Sequence, residues 1–231
     1  MTQGTKITAL IAAAGSGERM KSDLAKPFIE IKSKPLVVYT LRVFQAHPLI
    51  DEIVLISHKE NLEYARGLVK DCGFSKVARV IAGGATRKES VRNGLEVVDS
   101  KTKFVVIHDG VRPFVDEDAI RRVIEAAKEC GAAILGVPVK STIKKVTRHS
   151  EVDATLKREQ LWEIQTPQVF ERELIQKAYL VSSRYAVPDD SALVEILGKK
   201  VKVVMGSYLN IKITTREDLV FAEAIATIKE L

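Results

Sequence analysis

Several things that would mark a specialised class are scarce in this sequence. Its 231 residues include only two cysteines, Cys72 and Cys130. That is too few for a disulfide framework, and they lack the Cys-x-x-Cys spacing of zinc and dithiol sites. A reducing, cytoplasmic setting is expected. No run of eighteen apolar residues occurs, so no membrane-spanning helix is predicted. The 13 glycines and 7 prolines are ordinary usage, which excludes collagen-like and low-complexity organisation. The first apolar stretch, residues 7–14, has no small-residue cleavage site behind it and reads as a strand rather than a signal peptide.

What is present is a hydrophobic content of 46%, ample for a packed core. The 36 Lys and Arg against 30 Asp and Glu give a formal charge of +6, a weak bias towards anionic ligands.

Short runs rich in Ile and Val alternate with segments of helical period, the pattern of an α/β protein with a mostly parallel sheet. Strands are expected at 7–12, 52–57, 76–82, 104–108, 132–137 and 202–205. Helices are expected at 36–46, 60–71, 86–98, 117–130, 172–181 and 189–197, with a last one from Thr215. Gly73 and Gly131 stand where helices should stop. Between Pro138 and Thr166 the rhythm changes, because 142–147 and 153–158 alternate in period two with no helix between them. The expectation is one domain over 1–231 carrying a projecting β-hairpin arm at 138–166.

Three segments could carry chemistry, each at the carboxyl end of an expected strand, where open α/β sheets bind ligands. The first reads Ala13-Ala14-Gly15-Ser16-Gly17-Glu18-Arg19-Met20-Lys21, then Lys26-Pro27-Phe28. Met20 stands where a dinucleotide fingerprint needs its third glycine, and no Gly-Lys-Ser/Thr follows Gly15 at Walker spacing. A Gly-x-Gly turn with Arg19, Lys21 and Lys26 remains. It is either a triphosphate cradle, whose cations would stabilise charge on the phosphoryl oxygens, or a solvated basic loop.

The second segment, Gly83-Gly84-Ala85-Thr86-Arg87-Lys88-Glu89-Ser90, is an anion site or a turn with Thr86 as helix cap. The third is His108-Asp109-Gly110-Val111-Arg112-Pro113. There Asp109 and Arg112 either hold Mg²⁺ and a phosphorylated substrate or pair with each other to order the turn. His47, His58 and His149 show no ligand spacing, and His108 reads as a strand-end spacer. Lys140, Lys144, Lys145, Arg148, Lys199, Lys200 and Lys202 could make a nucleic-acid stripe, but no stacking rings interleave them. Solvated strand faces are the expectation.

Together with Leu161-Trp162, Gln165-Thr166-Pro167-Gln168 and Asn210-Ile211-Lys212-Ile213-Thr214, these segments resemble the 2-C-methyl-D-erythritol 4-phosphate cytidylyltransferase family of the non-mevalonate isoprenoid pathway, nearly end to end. The resemblance implies a Rossmann-like nucleotidyltransferase fold with helices on both faces of the sheet. It implies in-line attack of a sugar-alcohol phosphate on the α-phosphorus of CTP, with Mg²⁺ or another divalent cation. By it, Arg19, Lys26 and Lys212 are catalytic, and Ala13, Ala14, Gly15, Ser16, Gly17, Gly84, Ala85, Arg87 and Ser90 bind the nucleotide. Asp109, Arg112, Thr142, Arg158 and Thr166 bind the acceptor, with Asp109 also a metal ligand beside the CTP phosphates.

The resemblance further implies a cytoplasmic homodimer, with no nucleic acid or membrane partner, in which the arm brings Thr142 and Arg158 to the neighbour's pocket. A ribitol 5-phosphate cytidylyltransferase is the nearest alternative. The chain departs from the family's usual pattern at Val187-Pro188-Asp189-Asp190-Ser191, at Ala85 and at Lys157.

Overall fold

The structure, a computed structural model, describes residues 5–15, 25–181 and 186–230. Its first strand, β1 (Lys6–Ala13), is buried along nearly all its length, as a continuous apolar run in a covered parallel sheet must be. Two short strands, β2 (Glu30–Ile31) and β3 (Lys34–Pro35), lead into α1 (Leu36–Ala46). Alternation then follows: β4 (Glu52–Ser57), α2 (Leu62–Asp71), β5 (Val77–Ala82), α3 (Arg87–Glu96), β6 (Thr102–Asp109), α4 (Glu117–Cys130) and β7 (Ala132–Pro138). Gly131 closes α4 at φ +83°, a left-handed conformation that favours glycine.

The arm carries β8 (Lys144–Val146) and β9 (Val152–Thr155), both shorter than the expected strands, and Arg158–Gln160 forms a 3₁₀ turn after them. The periodicity does not predict the next strand, β10 (Trp162–Glu171). After it come α5 (Arg172–Val181), α6 (Ser191–Ile196), β11 (Lys202–Met205) and α7 (Arg216–Ile228).

Among the described residues seven strands form one sheet, in the order β11-β7-β10-β6-β1-β4-β5. All neighbours run parallel except β10, which is antiparallel to both β6 and β7. The register of β10 jumps opposite β7, with Ile164 facing Gly136 and Gln168 facing Ile134. Residues 165–167 bulge there, which takes Pro167 out of the ladder it could not donate to.

Side chains of α1, α2 and α4 cover one face of the sheet, and those of α3, α5 and α6 cover the other. The last helix, α7, packs on Leu36 and Tyr39 of α1 through Ala222, Ile225 and Ala226. No helix among the described residues is long and apolar enough to cross a membrane.

Phe44 of α1 is fully buried, with its ring 4.9 Å from that of His108 at the end of β6. Phe44→Ala should leave a cavity that a sheet-bound helix cannot close. An unfolding free energy lower by about 3–5 kcal/mol is expected, read as a lower urea midpoint at unchanged slope.

Candidate active site

Four parallel strands, β6, β1, β4 and β5, end at one edge of the sheet. Ala12 stands level with Asp109, Ala13 with Ser57, and Ser57 with Ala82. The loops leaving these ends wall a cleft of about 520 Å³, with Lys212 and Thr214 closing it from the far side.

At its centre lies Asp109, 5% exposed. Its Oδ1 accepts from Arg87 Nε at 3.0 Å, while Oδ2 lies 2.9 Å from Lys212 Nζ and 3.5 Å from Arg112 Nε. Burial alone would push this carboxyl up, but Arg87, Lys212 and Arg112 outweigh it and hold it well below the usual carboxylate range. Burial pulls the Arg112 guanidinium down against the attraction of Asp109. For Arg87 burial acts the same way, yet Asp190 and Asp109 prevail and raise it. The Asp109–Arg112 pair, one of the two readings of that turn, therefore exists, inside a larger cluster.

Behind Asp109 the β10 bulge supplies Thr166, whose Oγ1 accepts from the Asp109 N–H at 3.0 Å. His108 completes the arrangement: its Nε2 is 3.1 Å from the Arg112 carbonyl and its Nδ1 is 3.1 Å from Thr166 Oγ1. A carbonyl can only accept, so Nε2 carries the proton and Nδ1 accepts from the threonine hydroxyl. Complete burial lowers His108 to about 4, which keeps the ring neutral at pH 7. Asn210 ties the last wall in, with its Nδ2 donating to the Thr166 carbonyl at 2.9 Å and its own carbonyl accepting from Arg112 Nη1 at 2.8 Å.

On the opposite wall, Thr86 and Glu89 form a capping box at the start of α3, so the expected N-cap holds, and Gly84, Ala85, Arg87 and Ser90 line the cleft as well. Ser90 Oγ donates to the Thr86 carbonyl at 2.9 Å and accepts from Gly84 N–H at 3.1 Å. Gly83 has to be glycine: a Cβ there would lie 2.5 Å from the Ala14 Cβ and 2.7 Å from Ser90 Oγ. Lys26 opens a one-turn 3₁₀ helix, is buried, and donates to the Thr214 carbonyl at 3.0 Å.

The cleft thus brings together Ala14, Gly15, Lys26, Gly84, Ala85, Arg87, Ser90, Asp109 and Lys212. Ala13 is buried against Gly110 beneath it, and Arg112 and Thr166 stand behind Asp109. Thr142 and Arg158 are exposed on the arm and are not among the lining residues; Arg158 Nη1 donates to the Lys140 carbonyl at 2.9 Å. Ser16, Gly17, Arg19 and Lys21 lie outside the described residues. His58, which shows no ligand spacing in the sequence, lines the cleft while its Nδ1 caps the turn after β4.

Sequence reasoning missed Asp190 and Tyr179. The Pro-Asp-Asp-Ser turn was its only signal, and a pairing across about a hundred residues leaves no local trace.

Chemically the cleft is a polyanion site. Lys26, Arg87 and Lys212 face it, and Asp109 is the only acid among its described lining residues. The sequence matches the family model for 2-C-methyl-D-erythritol 4-phosphate cytidylyltransferase over residues 7–228. A protein of that name from Alkaliphilus metalliredigens is 43% identical over 97% of this chain and 95% of its own length. One from Syntrophus aciditrophicus is 46% identical over 95% of each. Among solved structures, the 4-diphosphocytidyl-2C-methyl-D-erythritol synthase of Anaerococcus prevotii superposes with a TM-score of 0.86 at 36% identity, covering 97% of both chains. The 2-C-methyl-D-erythritol 4-phosphate cytidylyltransferase of Thermus thermophilus gives 0.80 at 30% identity, covering 96% of this chain and all of that one.

The neutral burial of His108 has a pH signature. Its folded pKa of about 4 lies below its ordinary 6.5, so the unfolded chain takes the proton first. The stability it contributes is complete above pH 6.5 and is lost as pH falls towards 4, in total about 3 kcal/mol. Burial lowers His47 in the same direction. Urea titrations from pH 7 to 4.5 should show falling stability in the wild type and a shallower fall in His108→Asn. Equal slopes would refute the assignment.

Proposed function

The chain belongs to the 2-C-methyl-D-erythritol 4-phosphate cytidylyltransferase family and is a nucleotidyltransferase, and from that premise we propose how its cleft transfers CMP from CTP to 2-C-methyl-D-erythritol 4-phosphate. One observation carries the proposal: Lys26, Arg87 and Lys212 line one cleft together with a single buried carboxylate, Asp109, at the carboxyl ends of four parallel strands.

A phosphate monoester is already a nucleophile at neutral pH, so no general base is needed. Its oxygen attacks the α-phosphorus, the α–β bridging bond breaks, and pyrophosphate leaves with the electron pair. What the protein has to supply is positive charge and alignment. Holding two anions in attacking geometry is worth roughly 7–11 kcal/mol in well-oriented systems. Lys26 and Lys212, with Arg19, take the phosphates. Ala14, Gly15, Gly84, Ala85 and Ser90, with Ala13, Ser16, Gly17 and Arg87, form the nucleotide side. Asp109, Arg112 and Thr166 form the acceptor side.

We assign the whole chain to one nucleotidyltransferase domain whose arm, 138–166, reaches a second copy and delivers Thr142 and Arg158 to its acceptor pocket. Exposure of Val146 and Val152, paired across β8 and β9 at 56% and 62%, supports a covered arm. The cytoplasm suits Cys72 and Cys130, both free and exposed.

A divalent cation belongs with the CTP phosphates. Asp109 does not fit as its ligand, because both oxygens already face cations and no group of three acids, histidines or cysteines gathers among the described residues. No step is assigned to a protein-held metal.

Pyrophosphate release from CTP and Mg²⁺ should be strong with 2-C-methyl-D-erythritol 4-phosphate and weak with ribitol 5-phosphate. Release with ribitol 5-phosphate alone would overturn the acceptor, and silence with both would overturn the reaction. Lys26→Ala should lower turnover about 10²–10³-fold with the circular dichroism spectrum unchanged; near-normal turnover would remove Lys26 from its role.

A further inference from the structure

Asp190 is a buried acid that the proposed reaction does not use, and its surroundings are unlike those of a structural cap. It is 1% exposed at the start of α6 but makes no side-chain cap there. Capping falls to its neighbour: Asp189 Oδ1 accepts from the Ala192 N–H and from the Ser191 hydroxyl, both at 3.0 Å. Gln168 of β10 clamps the turn, donating to Asp189 Oδ2 at 2.8 Å and accepting from the Ser191 N–H at 3.1 Å. Asp190 is left to look inward. Its Oδ1 accepts the Tyr179 hydroxyl of α5, and its Oδ2 lies 2.8 Å from Arg87 Nη1.

Burying a carboxylate is costly, and a six-residue helix already capped by Asp189 does not require a second one. The charge of Asp190 goes to Arg87, whose side chain is 30% exposed on the cleft wall and whose Nε also reaches Asp109. One guanidinium is thus shared by two carboxylates on opposite sides.

We propose that Asp190, anchored by the Tyr179 hydroxyl, is a positioning residue: it fixes Arg87 across the nucleotide side of the cleft and so sets how Asp109 distributes its hold on Lys212 and Arg112. The proposal rests on the cytidylyltransferase assignment above. Asp190 touches no substrate in it and acts through Arg87 alone. The Pro-Asp-Asp-Ser turn then has two acids with separate tasks.

The test is calorimetric titration of CTP in Mg²⁺, alongside kcat, KM and melting temperature, for the full-length wild type, Asp190→Asn, Tyr179→Phe, Arg87→Ala and the Asp190→Asn/Arg87→Ala pair. Asp190→Asn should weaken CTP binding about tenfold or more, by analogy with other outer-shell groups. Tyr179→Phe should shift it the same way by less, and the double variant should bind no more weakly than Arg87→Ala alone. Should Asp190→Asn not fold, Tyr179→Phe carries the test. Variants with lower melting temperature but CTP Kd and KM within twofold of wild type, or losses that add in the double variant, would overturn the proposal. A wild type that binds CTP yet turns over no acceptor fails the reaction assignment while the titrations still decide on Asp190; one that does not bind CTP overturns both.

Discussion

One carboxylate with three cationic partners organises the cleft. Asp109 ends β6 buried, and a buried charge persists only when it is paired. Its pairing reaches three separate parts of the chain: α3 through Arg87, the turn after β6 through Arg112, and the segment before α7 through Lys212. Each partner is a long side chain that would otherwise sample many rotamers. Held against Asp109, they present positive charge at fixed places, so an incoming polyanion meets cations whose ordering entropy is already lost. The same acid that attracts them also keeps them from collapsing into solvent.

The second constraint is β10. It enters a parallel sheet backwards and puts two polar residues to use on two sides: Thr166 in its bulge, behind Asp109, and Gln168 just past the bulge, under the turn that carries Asp190. Both are buried polar groups, and both are satisfied. A ladder of ordinary apolar residues could fill that slot in the sheet but could not connect α6 to the centre of the cleft.

The alternation of strands and helices was legible because strands covered on both faces must be continuously apolar and their helices must be amphipathic. Residues 7–12, 52–57 and 117–130 needed no tertiary information. For β10 the opposite is true. Gln165, Thr166, Pro167 and Gln168 look like a turn, since nothing local reveals that each polar side chain has a partner brought by topology. The glycine loops, Lys26 and Asp109 stood out because glycines and charges at strand ends suit anion binding as well as turns, whereas Lys212 entered only through the family resemblance. Asp190 was not, because a Pro-Asp-Asp-Ser turn is what any helix start resembles, and its ion pair spans residues 87 to 190. His58 on the cleft wall left no signal beyond its position after β4.

The strand order also bears on how the chain comes off the ribosome. By residue 109 the β6-β1-β4-β5 half is complete in sequence. Then β7 emerges with no partner, since both its neighbours, β10 and β11, are synthesised after the arm. For the time it takes to make residues 139–161, one edge of β6 and both edges of β7 present unpaired backbone groups, templates for pairing with another chain. The arm's position therefore sets the length of an open interval in synthesis. A product truncated within the arm would be an association hazard rather than a smaller stable unit.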